Sequence, residues 1–149
     1  KTIDITFAEI KEKTPLLQPE WDFIDFKIEK GVKKCLNLDL AGKPEKEKYF
    51  ALCGRIGQDL KDGKLHSGPT FKFDMEYRVT MGRFHFFTTN EIIKDKEEYE
   101  GCSGAPILDE DGKLVGLAAS VKETTNILCA FSIEECKRLL DYAFEIGLV

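Results

Sequence analysis

The residues best suited to chemistry lie in the segment Gly101-Cys102-Ser103-Gly104-Ala105-Pro106. Ser103 offers a hydroxyl nucleophile between two glycines. Without Cβ atoms, these let the backbone take φ > 0 and let a substrate come close. A tight loop of this kind can aim successive backbone N–H groups into one concavity, which suits an oxyanion forming on a carbonyl under attack. Behind it, Ile107-Leu108, a polar turn at Asp109-Glu110-Asp111-Gly112 and the apolar run 114–119 read as two strands joined by a turn. By spacing alone the plainer reading is a surface Gly/Ser turn ahead of a hairpin, because these residues mark turns in any fold.

A serine hydroxyl is a weak nucleophile until a neighbouring base takes its proton. The chain has two histidines to offer, His66 and His85. His66 sits in the polar, glycine-containing stretch 59–70, which reads as a loop with a solvent-facing histidine. His85 alternates with Phe84 and Phe86 in an aromatic strand, the pattern of a barrel histidine satisfied in place rather than of a catalytic base.

The nucleophile segment, with its acidic glycine turn and Leu114-Val115-Gly116-Leu117, resembles that of trypsin-like (chymotrypsin-fold) serine peptidases, closest to the bacterial HtrA/Deg-type branch. The resemblance continues through residues 126–133, similar to the family's last barrel strand, and into a C-terminal helix over about residues 133–145. Upstream, Asp22-Phe23-Ile24-Asp25-Phe26-Lys27-Ile28 resembles the family's Asp-Ile-Ala-Leu-Ile-Lys-Ile strand, which implies Asp22 as the triad acid. Alternation puts Asp22 and Asp25 on opposite faces, so the two cannot share that role.

The resemblance implies hydrolysis of peptide bonds through an acyl-enzyme at Ser103, with the N–H groups of Gly101 and Ser103 as oxyanion hole. It implies that Asp22 orients a histidine and that Ala119, Ser120 and Val121 bind the substrate backbone. The acids at 97–100 would lie near the specificity pocket and favour a basic substrate side chain, against the plain alternative of a solvated charge run. Cys102 departs from the family's Asp or Asn. The family's sulfur nucleophiles stand at the position of Ser103, so Ser103 and not Cys102 is the expected nucleophile.

The histidine is the difficulty. The family's base precedes its acid, yet both histidines follow Asp22 and only residues 1–21 precede it. One reading is a piece of a longer endopeptidase whose histidine segment lies upstream, a reading that the first residue, Lys1 rather than Met, favours. The other is a catalytically inactive peptidase-like domain that binds peptides or partner proteins. A third treats the barrel as a scaffold, since a fold does not fix a function.

Composition is consistent with one compact unit: 149 residues with 42% hydrophobic content can bury a core. A net charge of −5 without clustered basic residues argues against a nucleic-acid partner. No apolar run approaches a membrane span, and no signal peptide is visible. The five cysteines, Cys35, Cys53, Cys102, Cys129 and Cys136, lack metal-ligand spacing and read as free buried thiols, which points to a reducing, cytoplasmic setting. No metal or cofactor is expected. The expected partners are a peptide or protein substrate and a missing N-terminal segment or partner covering the first barrel, because an incomplete barrel exposes strand edges.

The elements that must position Ser103 are mostly strands. Ile3, Ile5 and Phe7 mark one over residues 2–10, Pro15 and Pro19 mark a loop over 11–20, and residues 23–28 form an aromatic strand. Residues 35–40 read as a short strand or the start of a connection, 41–48 as a solvated linker, and 49–54 as an apolar strand ending in a glycine-marked turn at 54–57. The clearest signal is the alternation Phe71, Phe73, Met75, Tyr77, Val79, Met81, followed by a strand at 84–88. Leu139, Leu140, Ala143 and Phe144 recur at helical spacing. The expected fold is therefore all-β. The resemblance sharpens this: it implies that residues 1–40 are the remnant of a first barrel and that residues 41–149 form a trypsin-like antiparallel second barrel with a C-terminal α-helix.

Overall fold

A computed structural model describes residues 38–61 and 64–148, with side chains except at 38, 55–67 and 69. Upstream it describes the backbone of four two-residue strands: β1 (Leu17–Gln18), β2 (Trp21–Asp22), β3 (Lys27–Ile28) and β4 (Gly31–Val32). β1 pairs with β4 and β2 with β3, both antiparallel. The expected strand over 2–10 and the alternative acid Asp25 lie outside the described residues.

Six strands then close on themselves: β5 (Tyr49–Lys61), β6 (Lys64–Met81), β7 (Phe84–Thr88), β8 (Pro106–Asp109), β9 (Leu114–Lys122) and β10 (Ile127–Ser132). Their order round the barrel is β10-β7-β6-β5-β8-β9, with every neighbouring pair antiparallel. A helix, α1 (Ile133–Glu145), follows directly. Ser132 caps it by accepting a hydrogen bond from the Glu134 N–H at 3.2 Å, and Glu134 and Glu135 suit the positive end of its dipole. The protein is thus mainly antiparallel β with one C-terminal helix, as the strand spacing requires.

Alternation fills the barrel. Phe50, Leu52, Met75, Phe87, Ile107, Val115 and Leu128 point inward and are almost fully buried, and Phe50 and Phe87 meet edge-on at 5.0 Å. Each such side chain contributes about 1.5–3 kcal/mol on leaving water. Outside the barrel, Leu114, Phe131, Ile133 and Cys136 form a second cluster where α1 packs on β9 and β10.

Two expectations are corrected. Residues 59–70 are not a loop: β5 and β6 continue as a long hairpin in which Asp59 pairs with His66 and Lys61 with Lys64. The two residues between are Asp62-Gly63, a dipeptide suited to a two-residue hairpin turn. Residues 54–57 likewise belong to β5 rather than to a turn. The alternation over 71–81 does not give one apolar face, because extra residues enter β6 between the partners of Phe50 and Leu52 and again between Tyr77 and Val79. Asp74, at φ 54, lies in the first irregularity. After the second, Thr80 pairs with inward-facing His85, while Val79 and Met81 face solvent.

The β8–β9 turn is locked by Asp109. Its buried carboxylate accepts from the N–H groups of Asp111 and Lys113 at 3.0 and 2.8 Å and lies 3.4 Å from the Lys48 ammonium. Asp109→Ala would leave those donors without their acceptor and lower stability by about 2–3 kcal/mol in urea denaturation. Gly116→Ala would place a methyl 2.9 Å from the Phe131 carbonyl oxygen, where β9 meets β10. It should cost about 1–3 kcal/mol in the same measurement.

Candidate functional site

The segment before the nucleophile loop is a short 3-10 turn, Lys96–Tyr99, capped by Asp95, whose carboxylate accepts from the Glu97 N–H at 2.9 Å. Tyr99 is buried and anchors it. Cys102 and Ala105 are buried as well, so the exposed pair Ser103-Gly104 is held up between two residues sunk in the core. Gly101 at φ 90 and Gly104 at φ 80 take conformations that a side chain would strain, which is what the glycine bracket foretold.

Backbone bonds pin the loop at Cys102, Gly104 and Ala105. The Cys102 N–H donates to the Tyr99 carbonyl at 3.0 Å and the Ala105 N–H to the Cys102 carbonyl at 2.9 Å. Gly104 N–H donates to the Ala118 carbonyl, and Ala118 N–H donates back to the Ala105 carbonyl, both at 2.8 Å. The two N–H groups left over, those of Gly101 and Ser103, make no hydrogen bond among the described residues. They are the pair that the sequence resemblance implies as oxyanion donors.

A cavity of about 310 Å³ opens beside them. Gly101, Cys102 and Ser103 form one wall, and Ala118, Ala119, Ser120 and Val121 of β9 form another. The structure therefore brings together Ser103, Gly101, Ala119, Ser120 and Val121. Between Ala118 and Ser120 the β9–β10 register shifts, so Ala119 and Ser120 are both exposed along the cavity. Lys96, Tyr99, Glu100 and Leu128 complete the lining. Sequence reasoning did not single out Lys96, Tyr99 or Leu128. The signal available was Tyr99, an aromatic ring in an otherwise charged run.

Asp22 is the end of β2 and pairs with Lys27; its side chain lies outside the described residues. Of the acids at 97–100 only Glu100 lines the cavity, since Glu97 belongs to the capped turn and Glu98 lies 3.9 Å from the Lys72 ammonium. Burial pushes the Cys102 thiol above its ordinary pKa, against the pull of Lys72, so this sulfur is protonated and faces the core. Its Sγ would sit 2.9 Å from a Cβ placed on Gly54, which makes Gly54 a spacer for the loop.

His85 is a barrel histidine. It is buried, with Nδ1 2.7 Å from Thr80 Oγ1 and its ring edge-on to those of Tyr77 and Phe87, and it lines no part of the Ser103 cavity. It is only half satisfied, since its buried Nε2 has no hydrogen-bond partner among the described residues. His66 lies in β6, and its side chain is outside the described residues.

Among the described residues no group of His, Cys, Asp and Glu could hold a metal ion, and no helix is long and apolar enough to cross a membrane. Comparison with family models, with curated proteins and with solved structures finds no match to this chain.

Burial lowers the pKa of His85 below its ordinary 6.5, opposed by the charge of Glu134. The unfolded chain then binds a proton that the folded one refuses, so His85 destabilises the fold as pH falls below about 6.5. Urea midpoints taken between pH 7.5 and 5 should drop more for the wild type than for His85→Leu.

Proposed function

We propose that this chain is a trypsin-like serine endopeptidase domain, or a fragment of one, cleaving peptide bonds through an acyl-enzyme at Ser103. The observation that carries the reading is the loop itself: an exposed serine beside an open cavity, whose own N–H and that of Gly101 make no hydrogen bond among the described residues. Attack by Ser103 Oγ on a peptide carbonyl turns the carbonyl oxygen into an oxyanion. Two main-chain donors already fixed in place stabilise that charge without reorganising. Removing one such donor typically costs about 10²–10³-fold in rate. Ala119, Ser120 and Val121 are the residues that would align the substrate backbone, and the closed six-stranded barrel ending in a helix agrees with the second barrel of that family.

In this reading Asp22 orients and charges a histidine that comes from a segment upstream of the residues here, because neither His85 nor any other described imidazole lines the cavity. That same observation favours the second reading, a catalytically inactive peptidase-like domain that uses the cavity to bind peptides or partner proteins.

Treating the full-length protein with a fluorophosphonate probe separates the two. The expected result is label on Ser103, abolished in Ser103→Ala, with peptide hydrolysis falling at least about 10³-fold in the variant. An unlabelled Ser103 in a full-length chain that carries no upstream histidine would replace hydrolysis with peptide binding.

A further inference from the structure

The outer wall of the barrel next to the Ser103 cavity carries an uncovered apolar row. Register places Ser120 opposite Cys129, Cys129 opposite Phe86, and Phe86 opposite Val79, so these four side chains stand in line across β9, β10, β7 and β6. Burial alternates along β7 and along β10 at residues 127–130, with Phe86 and Cys129 on the face away from buried Phe87 and Leu128. Val79 is 44% exposed and Met81, two residues along β6, is 57% exposed. α1 covers the neighbouring stretch of wall, around Phe131 and Phe84, and leaves this row open.

A groove of about 510 Å³ runs over the row, and it shares Ser120 and Val121 with the cavity beside Ser103. The two depressions meet at these two residues of β9. β8 stops pairing with β9 at Leu117, so residues 119–122 have one edge without a strand neighbour among the described residues. Strands stand about 4.8 Å apart, so the row spans about 14 Å. That is the reach of four or five extended residues. At the groove's edge Lys122 has no ion pair among the described residues, whereas Arg78 is held by Glu76 at 3.0 Å and Thr88 at 2.9 Å.

We propose that this row is a second subsite, which takes an extended apolar segment flanking the peptide bond presented to Ser103, with an acidic residue of that segment facing Lys122. The proposal rests on the reading of the Ser103 cavity as a peptide site, and it assigns specificity to Val79, Phe86, Met81 and Lys122. The occupant is a peptide because the groove adjoins that cavity at Ser120 and Val121, the residues proposed to align the substrate backbone.

The test measures fluorescence anisotropy of fluorescein-labelled octapeptides on full-length protein carrying Ser103→Ala, so that nothing is turned over. The peptides share one sequence except for a block that is Leu-Leu-Glu, Ser-Ser-Glu or Leu-Leu-Lys. The expected result is at least tenfold tighter binding of the Leu-Leu-Glu peptide than of the Ser-Ser-Glu peptide. Val79→Asp and Met81→Asp, both at exposed positions, should abolish that preference, and Lys122→Glu should reverse the preference for Glu over Lys. Equal binding of the leucine and serine peptides would overturn the proposal. So would a leucine preference that survives both aspartate variants, or sedimentation showing the row buried between two copies of the chain. Fluorophosphonate labelling of the wild type reads hydrolysis separately: leucine-dependent binding without label sinks the peptidase and leaves the subsite, and label without leucine preference does the reverse.

Discussion

Everything in this molecule depends on β10 finding two partners at once. A sheet becomes a barrel only when its last strand pairs on both edges, and here β10 bonds to β7 on one side and β9 on the other. Close approach makes this possible at Gly116, where any side chain would meet the Phe131 carbonyl. Closure buries Leu128 and Ala130 inside and fixes β9 as a wall against which the nucleophile loop is stitched. The loop has no regular structure of its own, and its shape is borrowed from that wall and from the three buried residues Tyr99, Cys102 and Ala105.

Much of this could be read from residue types. The glycine bracket foretold positive φ on both sides of Ser103, and the acidic glycine turn foretold the β8–β9 hairpin that Asp109 ties together. The helix starts at Ile133, where Ser132 followed by two acids announces a cap. What escaped was non-local. The irregularities in β6 turn Val79 and Met81 outward although the sequence alternates without a break, because the extra residues enter to suit the partner strands. The hairpin beyond residue 54 escaped for another reason: polar residues there look like a loop, while strand pairing is made by the backbone and needs no apolar pattern. Lys96 and Leu128 reach the cavity from opposite ends of the barrel's second half, and no spacing rule joins them.

On the proposed reading, the chemistry at Ser103 is built from the stabilising side rather than from the activating side. Fixed donors and an open cavity would hold an anionic intermediate, but the hydroxyl makes no hydrogen bond among the described residues. The described histidine is spent on the interior, against Tyr77, Thr80 and Phe87. Cys102, the other group that tempts a mechanistic assignment, is removed by its surroundings: a desolvated thiol packed on Gly54 is filler in the core.

The reciprocal pair of bonds between Ala118 and the loop, one to Gly104 and one to Ala105, has a mechanical meaning. It rivets β9, one wall of the cavity, to the two residues that follow Ser103, so a displacement of β9 at Ala118 carries Gly104 and Ala105 with it.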